Sequence, residues 1–568
     1  MITSGRRSPH WIILAAGVSL GLTGFANPAA FAQPAELVAI NGKVFTARDD
    51  NAIVQGFAVR DGKFVATGTS EEMKRFVGAN TKVIDLAGRF VTPGLADGHF
   101  HNEGGGPGID LSLTRSLAEL YGVVARASAA AKPGDVIVSN ADWHEAQLKE
   151  QRLPTAQELD RAAPSVPVVL VCGGHDYILN TAALLKWNIT KDTPAPTGGA
   201  IGHDQSGELD GELTDAAKNL IKLPPSGGVT LEDVLATQRR LNAVGITSVR
   251  VPGSYKGEFF QALNAILDAK KAGKLTLRYT IFLPGFGIGQ PDRIREVVAR
   301  SPLKPDEGDE WVRVDGIKLI VDGGFEGGHM TKPFAEPFGK GGRFFGLTIV
   351  PPSDFTNVVK AINAAGWRAT THAVGDAAID EVLDAYEAAN SERPLAGRRW
   401  AIEHLFVTRP DQLARIKKLG IAVSVQDHLY LAAPALRRYL GMERASHITP
   451  VKTYLDQGFL VVAGTDSPVV PYNPFWAYYH FLTRETITDG VYGENERVMA
   501  RDVLLRMFTI NQAKITGEDA IKGSIESGKL ADFAVLSEDM LTVTENKIPG
   551  MKALMTYVDG KEVYRDPK

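Results

Sequence analysis

Two histidines one residue apart, His99 and His101, close the stretch Thr92-Pro-Gly-Leu-Ala-Asp-Gly-His-Phe-His101. On a β-strand side chains alternate faces, so both imidazoles point one way and Phe100 the other. Two imidazoles on one face are half of a metal site. Further along come Lys318 in Asp315-Gly-Ile-Lys-Leu-Ile-Val321, His372 in Thr370-Thr-His-Ala-Val-Gly-Asp376, His404 in Trp400-Ala-Ile-Glu-His404 and Asp466 in Ala463-Gly-Thr-Asp-Ser-Pro468. Each has an ordinary explanation: a strand histidine is more often hydrogen-bonded core than ligand, and Asp466 could cap a turn. Lys318 resists it, because a lysine between Ile317 and Leu319 would be buried, which is costly unless it is paired. Six such residues at the ends of apolar runs together point to divalent-metal chemistry.

Those residues need strands to hold them. After the opening stretch, strand-like runs recur at Ile246–Val251, Leu277–Leu283, Asp315–Val321, Trp367–His372, Trp400–His404, Ala422–Gln426 and Leu460–Asp466. Helical stretches such as Ala377–Ala389, Pro410–Leu419 and Val451–Gln457 lie between them. Eight β/α units across 92–505 predict an α/β fold of the (β/α)8 TIM-barrel class, whose active sites lie at the C-terminal strand ends. A doubly wound sheet is the alternative. Residues 103–240 are too long for one connection and carry their own helix and strand signals, so they read as an inserted subdomain after strand 1. The segments 36–91 and 506–568 are both β-rich, with hairpin turns at Asn41-Gly42, Asp61-Gly62 and Asp559-Gly560, and predict one small β-sandwich built from both ends.

With 568 residues, 44% hydrophobic, 23% charged and a net charge of −4, the chain has an ordinary soluble composition. Its pI near 6.3 gives no electrostatic footprint for nucleic acid or an anionic membrane. Arg6-Arg7, the apolar run Trp11–Phe25 and Ala30-Phe-Ala32 predict a cleaved signal peptide over 1–32, hence an exported, periplasmic or secreted protein; Ser8-Pro9-His10 suits the twin-arginine pattern poorly. The single cysteine, Cys172, excludes an internal disulfide and reads as a small buried hydrophobe.

The order His-x-His, Lys, His, His, Asp on strands one, four, five, six and eight resembles the metal-dependent amidohydrolase superfamily. Asp315–Gly323, His372–Asp376, Ile402–His404, Ser424–Gln426, Gly464–Pro468, Asn511-Gln-Ala-Lys514 and Gly523–Phe533 place it nearer the branch resembling N-substituted formamide deformylase. The resemblance implies one or two divalent metals, usually zinc. His99, His101 and Asp466 would hold one metal and His372 and His404 the other, with a carbamylated Lys318 bridging them. It also implies that Asp466 moves the proton in catalysis, and that Trp143 and His175 lie in segments lining the substrate pocket. Gln426 is a further candidate polar group of that pocket. The expected partner is a small-molecule amide, with no nucleic acid, no membrane after signal cleavage, and a homodimer allowed. Deamination or cyclic-amide hydrolysis, and a non-catalytic periplasmic binder, are the alternatives to amide or N-acyl hydrolysis. Gly323-Gly-Phe-Glu-Gly-Gly-His329 departs from the Gly-Ser-rich segment ending in Arg-Thr that is usual in the branch, which bears on substrate preference.

Overall fold

The computed structural model describes residues 33–567 apart from 102–107, 112–113, 142, 173–174, 225–228 and 254–258. The predicted signal peptide lies outside the described residues. The eight barrel strands are β1 (Leu95–Asp97), β2 (Ile246–Pro252), β3 (Arg278–Pro284), β4 (Val312–Ile320), β5 (Ala369–Ala373), β6 (Ala401–His404), β7 (Ala422–Gln426) and β8 (Val461–Gly464). They pair in chain order, every ladder parallel. The ring is drawn shut by Gly98 N–H donating to Ala463 O at 2.9 Å and by the Asp97 carboxylate, which accepts from Thr465 N–H (3.0 Å) and its hydroxyl (2.6 Å).

Buried parallel strands read as runs of apolar residues because both faces are covered. β8, Val461-Val-Ala-Gly464, fits this. β4 and β5 are as deeply buried but carry Asp315, Lys318, Thr370, Thr371 and His372. The helices Pro352–Ala364 and Asp376–Glu392 bury Val358, Ile362, Ile379 and Leu383 in the core around them. Such side chains each contribute about 1.5–3 kcal/mol on burial. The helix expected at Pro410–Leu419 has those ends, begun by proline at its first turn and stopped by Gly420 at φ 67°.

The insert carries its own five-stranded sheet, with strands 199–203, 209–215, 176–179, 168–172 and 137–138 side by side. Its helices Leu117–Ala130, Ala156–Ala162 and Thr181–Lys186 cover that sheet. The helix Leu231–Asn242, which the sequence reading groups with the insert, instead packs Val234 and Leu241 into the barrel core.

The two chain ends share one sandwich. A sheet of strands 63–68, 56–60, 37–40 and 82–85 faces a sheet in which 533–536 from the C-terminus pairs with Phe90–Pro93. Phe533 lies edge-on to Phe57 at 4.8 Å, a contact worth about 0.5–1.5 kcal/mol beyond its burial. Arg278 at the start of β3 donates to both oxygens of Asp532 (2.6 and 2.9 Å), tying sandwich to barrel. Among the described residues no helix is long and apolar enough to cross a membrane.

Candidate metal centre

The strand alternation puts His99 and His101 together, although both lie just past the end of β1. Their Nε2 atoms are 3.2 Å apart, and Asp466, just past β8, brings Oδ1 to 3.3 Å from His99 Nε2 and 3.1 Å from His101 Nε2. Gly464 permits this approach, since a Cβ there would stand 2.4 Å from the His99 nitrogen. The backbone is bent to suit: Asp466 has φ 60° and His404 φ 75°, left-handed conformations that cost L-residues on the order of 1–3 kcal/mol each.

The partners of the other ring nitrogens assign the protons. His99 Nδ1 faces Glu403 at 2.8 Å and His101 Nδ1 faces Gly253 O at 3.4 Å, so both Nδ1–H groups donate and both Nε2 atoms present lone pairs. His404 donates from Nδ1 to Gln426 Oε1 at 2.6 Å, and His372 from Nε2 to Gly323 O at 3.1 Å. These two rings lie 4.4 Å apart between centroids. Lys318 Nζ reaches to 3.4 Å from His99 Nε2.

Burial dominates the electrostatics. It lowers His99 to about 4 and, less far, His101, and it holds His372 and His404 well below the usual imidazole value. Four neutral imidazoles are what a cation needs as ligands. Burial also lowers Lys318 to about 8. For Asp466 burial works the other way, and positive charge at the imidazoles of His99, His101 and His428 is what brings its carboxyl well below the ordinary range. Asp466 Oδ1 meets no donor in hydrogen-bonding geometry among the described residues. Facing lone pairs of two imidazoles and a carboxylate repel one another unless a cation sits between them. The donor set of His99, His404 and Asp466, mutually within 4.8 Å, fits a divalent metal.

Second-layer groups that the sequence did not single out hold these ligands. Glu403 pairs with His99 and with Arg250 (2.7 Å), and Arg250 also donates to Gly98 O and Thr370 Oγ1. Asp322 accepts the N–H groups of His329 and Gly375, pinning the loop after β4 beside His372. His428 Nε2 lies 3.0 Å from Asp466 Oδ2 and fixes which oxygen faces His99. Charged Arg250 and Glu403 inside apolar strands carry the same sequence signal as Lys318. Asp322 and His428 follow strand ends and carry no comparable one.

Of the expected pocket residues, His175 lines a cavity of about 400 Å³ together with His99, His101, Lys318 and His372. Its Nδ1 is 2.5 Å from Asp215 Oδ1. The other two are placed elsewhere. Trp143 is wholly buried in the insert core, its indole N–H donating to Val171 O at 2.6 Å. Gln426 is 1% exposed and spends its amide on His404 and Ser424, so it positions a ligand and does not face the cavity.

Comparison with known proteins agrees in extent. Residues 82–564 match the Amidohydrolase family. Protein LONG AFTER FAR-RED 3 of Arabidopsis thaliana is 30% identical, covering 93% of this chain and 92% of its own length. N-substituted formamide deformylase of Arthrobacter pascens is 29% identical over 93% of this chain and 98% of its own. The crystal structure of an uncharacterized metal-dependent hydrolase from Pyrococcus horikoshii OT3 superposes with a TM-score of 0.66 at 23% identity, over 90% of this chain and 99% of that one. With a match that runs from the first sandwich sheet through the barrel to the last strand, the chain belongs to the amidohydrolase family.

Proposed function

We propose that this chain is a metal-dependent hydrolase of carbon–nitrogen bonds in small non-peptide amides or N-acyl compounds. The observation that carries the reading is the convergence of His99 Nε2, His101 Nε2 and Asp466 Oδ1 within 3.3 Å beside the cavity that both histidines line, with the imidazole N–H groups turned away. A donor set of imidazoles and one carboxylate suits zinc. When bound, a divalent metal supplies Lewis acidity to the substrate carbonyl and lowers the pKa of water.

The chain's own groups do the rest. Asp466, its Oδ2 fixed by His428, takes a proton from the attacking water and returns it to the departing nitrogen. The oxygen–carbon bond forms, the carbon–nitrogen bond breaks, and a carboxylic acid and an amine leave. Lys318, lowered by burial to about 8, keeps part of its amine uncharged near neutrality. We read it as the site of a carbamate: its nitrogen bonds carbon dioxide, a proton goes to solvent, and a buried cation becomes a carboxylate-like ligand. His175 stands on the cavity wall to meet the substrate, and the resemblance to a formamide deformylase favours N-formyl or N-acyl amines. Residues 1–32 we read as an export signal, which N-terminal sequencing of the mature protein, expected to start at Gln33, would test.

The deciding experiment pairs metal analysis with a substrate panel. Protein from metal-replete medium should carry zinc, iron or manganese, and should release amine and acid from N-formyl or N-acyl amines. A metal-free preparation sinks the reading, and release of ammonia instead selects deamination. Lys318→Ala should lose metal and activity, with partial rescue by acetate or formate; an unimpaired variant refutes the bridging role.

A further inference from the structure

The cavity wall beside the barrel rim, where the His175 ring lies 5.8 Å from that of His372, holds a second group of ligand atoms, of which the proposed reaction uses only His175. His175 and Asp215 come from the insert, and Glu326 comes from the loop after β4. One ligand atom from each lies within 4.8 Å of the other two. Asp215 is only 8% exposed, and its Oδ2, like Glu326 Oε1, is buried and meets no hydrogen-bond donor among the described residues. That oxygen lies against Gly323, where a Cβ would stand 2.2 Å from it. The loop that departs from the branch pattern is thus the one that closes over Asp215. The surroundings are acidic as well. Asp176, whose Oδ1 is buried and meets no donor among the described residues, shares this field with Glu212, and Lys218 supplies a positive charge within it.

We propose that His175, Asp215 and Glu326 form a separate divalent-cation site that fastens the insert to the loop after β4. A set of one imidazole and two carboxylates is one that zinc or manganese accepts. With no cation present, the close His175–Asp215 pair is held together by a proton; binding displaces that proton to solvent. Occupation would join two chain segments far apart in sequence, and would therefore stabilise the cavity wall by mass action.

Metal-stripped full-length protein titrated with Zn2+, and separately with Mn2+, tests this by calorimetry and by metal content after desalting. Wild type should take up one equivalent more than Asp215→Asn or Glu326→Gln. The double variant His99→Ala/His101→Ala should keep that equivalent while losing metal at the rim. Equal uptake by wild type and the two wall variants overturns the proposal, as does loss of the wall equivalent in the double variant. If the double variant loses no metal while Asp215→Asn does, the rim reading fails and the wall site stands. Circular dichroism checks folding; should Asp215→Asn not fold, Glu326→Gln, in a half-buried loop position, decides alone.

Discussion

The barrel rim and the insert wall line one cavity, with the rings of His372 and His175 5.8 Å apart, and they are built differently. At the rim His99, His372, His404 and Asp466 lie on or one or two residues beyond strands of a hydrogen-bonded ring, and charged partners buried in that ring hold them. On the wall Asp215 ends a strand of the insert sheet and pairs with His175, while Glu326 stands in the loop after β4 with its Oε1 meeting no donor among the described residues. Strand-built sites are positioned by the fold itself, whereas loop-built ones need something to hold the loops. The rim should therefore tolerate loss of its metal without losing shape, and the wall should not.

The largest effect is expected at the rim. Asp466→Asn keeps the volume and the His428 contact but removes the proton acceptor, and should lower kcat/KM by roughly 10²–10⁴-fold with little change in unfolding midpoint. A comparable loss of stability would mean that Asp466 is structural. Glu403→Gln should come next. It leaves Arg250 buried beside an uncharged partner, so chemical denaturation should show a loss of about 3–5 kcal/mol. The weakened hold on His99 should cost about 10–100-fold in metal affinity. Normal metal affinity in a folded Glu403→Gln protein would separate the ring's stability from the site's geometry.

The rim was legible in the sequence for the reason that it is rigid. Period-two alternation places His99 with His101, and a buried charge inside an apolar run betrays Lys318. The same signal was present in Val249-Arg-Val251 and Ile402-Glu-His404 and could have identified Arg250 and Glu403. The barrel and the two-ended sandwich followed from counting apolar runs and hairpin turns. Asp215, Glu326 and His428 could not be found this way, because their neighbours in space are distant in sequence and no periodicity relates them. Trp143 and Gln426 sit in segments that approach the cavity, but which side chain turns inward is set by packing that the sequence does not display.

Acid should act on the metal-free rim in a definite direction. His99 titrates near 4 when folded and His101, His372 and His404 also lie below the ordinary value, all chiefly through burial. The unfolded chain binds these protons near pH 6.5, so it holds more protons than the folded chain between that pH and the folded values. Stability of the metal-free protein should be fully present above about pH 6.5 and fall steadily as pH drops toward 4, which thermal melts in a pH series would show. A flat profile would mean that these histidines are not buried neutral and do not turn lone pairs toward a cation.

The smallest effect sharpens the comparison on the insert side. Trp143 donates its indole N–H to Val171 O inside the insert core, with Leu111, Leu148 and Leu170 in the same cluster. Trp143→Phe keeps an aromatic ring but leaves that carbonyl with the longer bond from the Ser139 hydroxyl at 3.4 Å, at a cost of about 0.5–1.5 kcal/mol. Because Val171 lies one residue before the end of the strand that leads toward His175, the change should lower the unfolding midpoint while KM and kcat for the substrate stay within about twofold, far less than the tenfold that 1.4 kcal/mol at the site would produce. A raised KM with an unchanged midpoint would instead put the indole against substrate. The insert would then act on the reaction by contact, and not only through the wall that it supports.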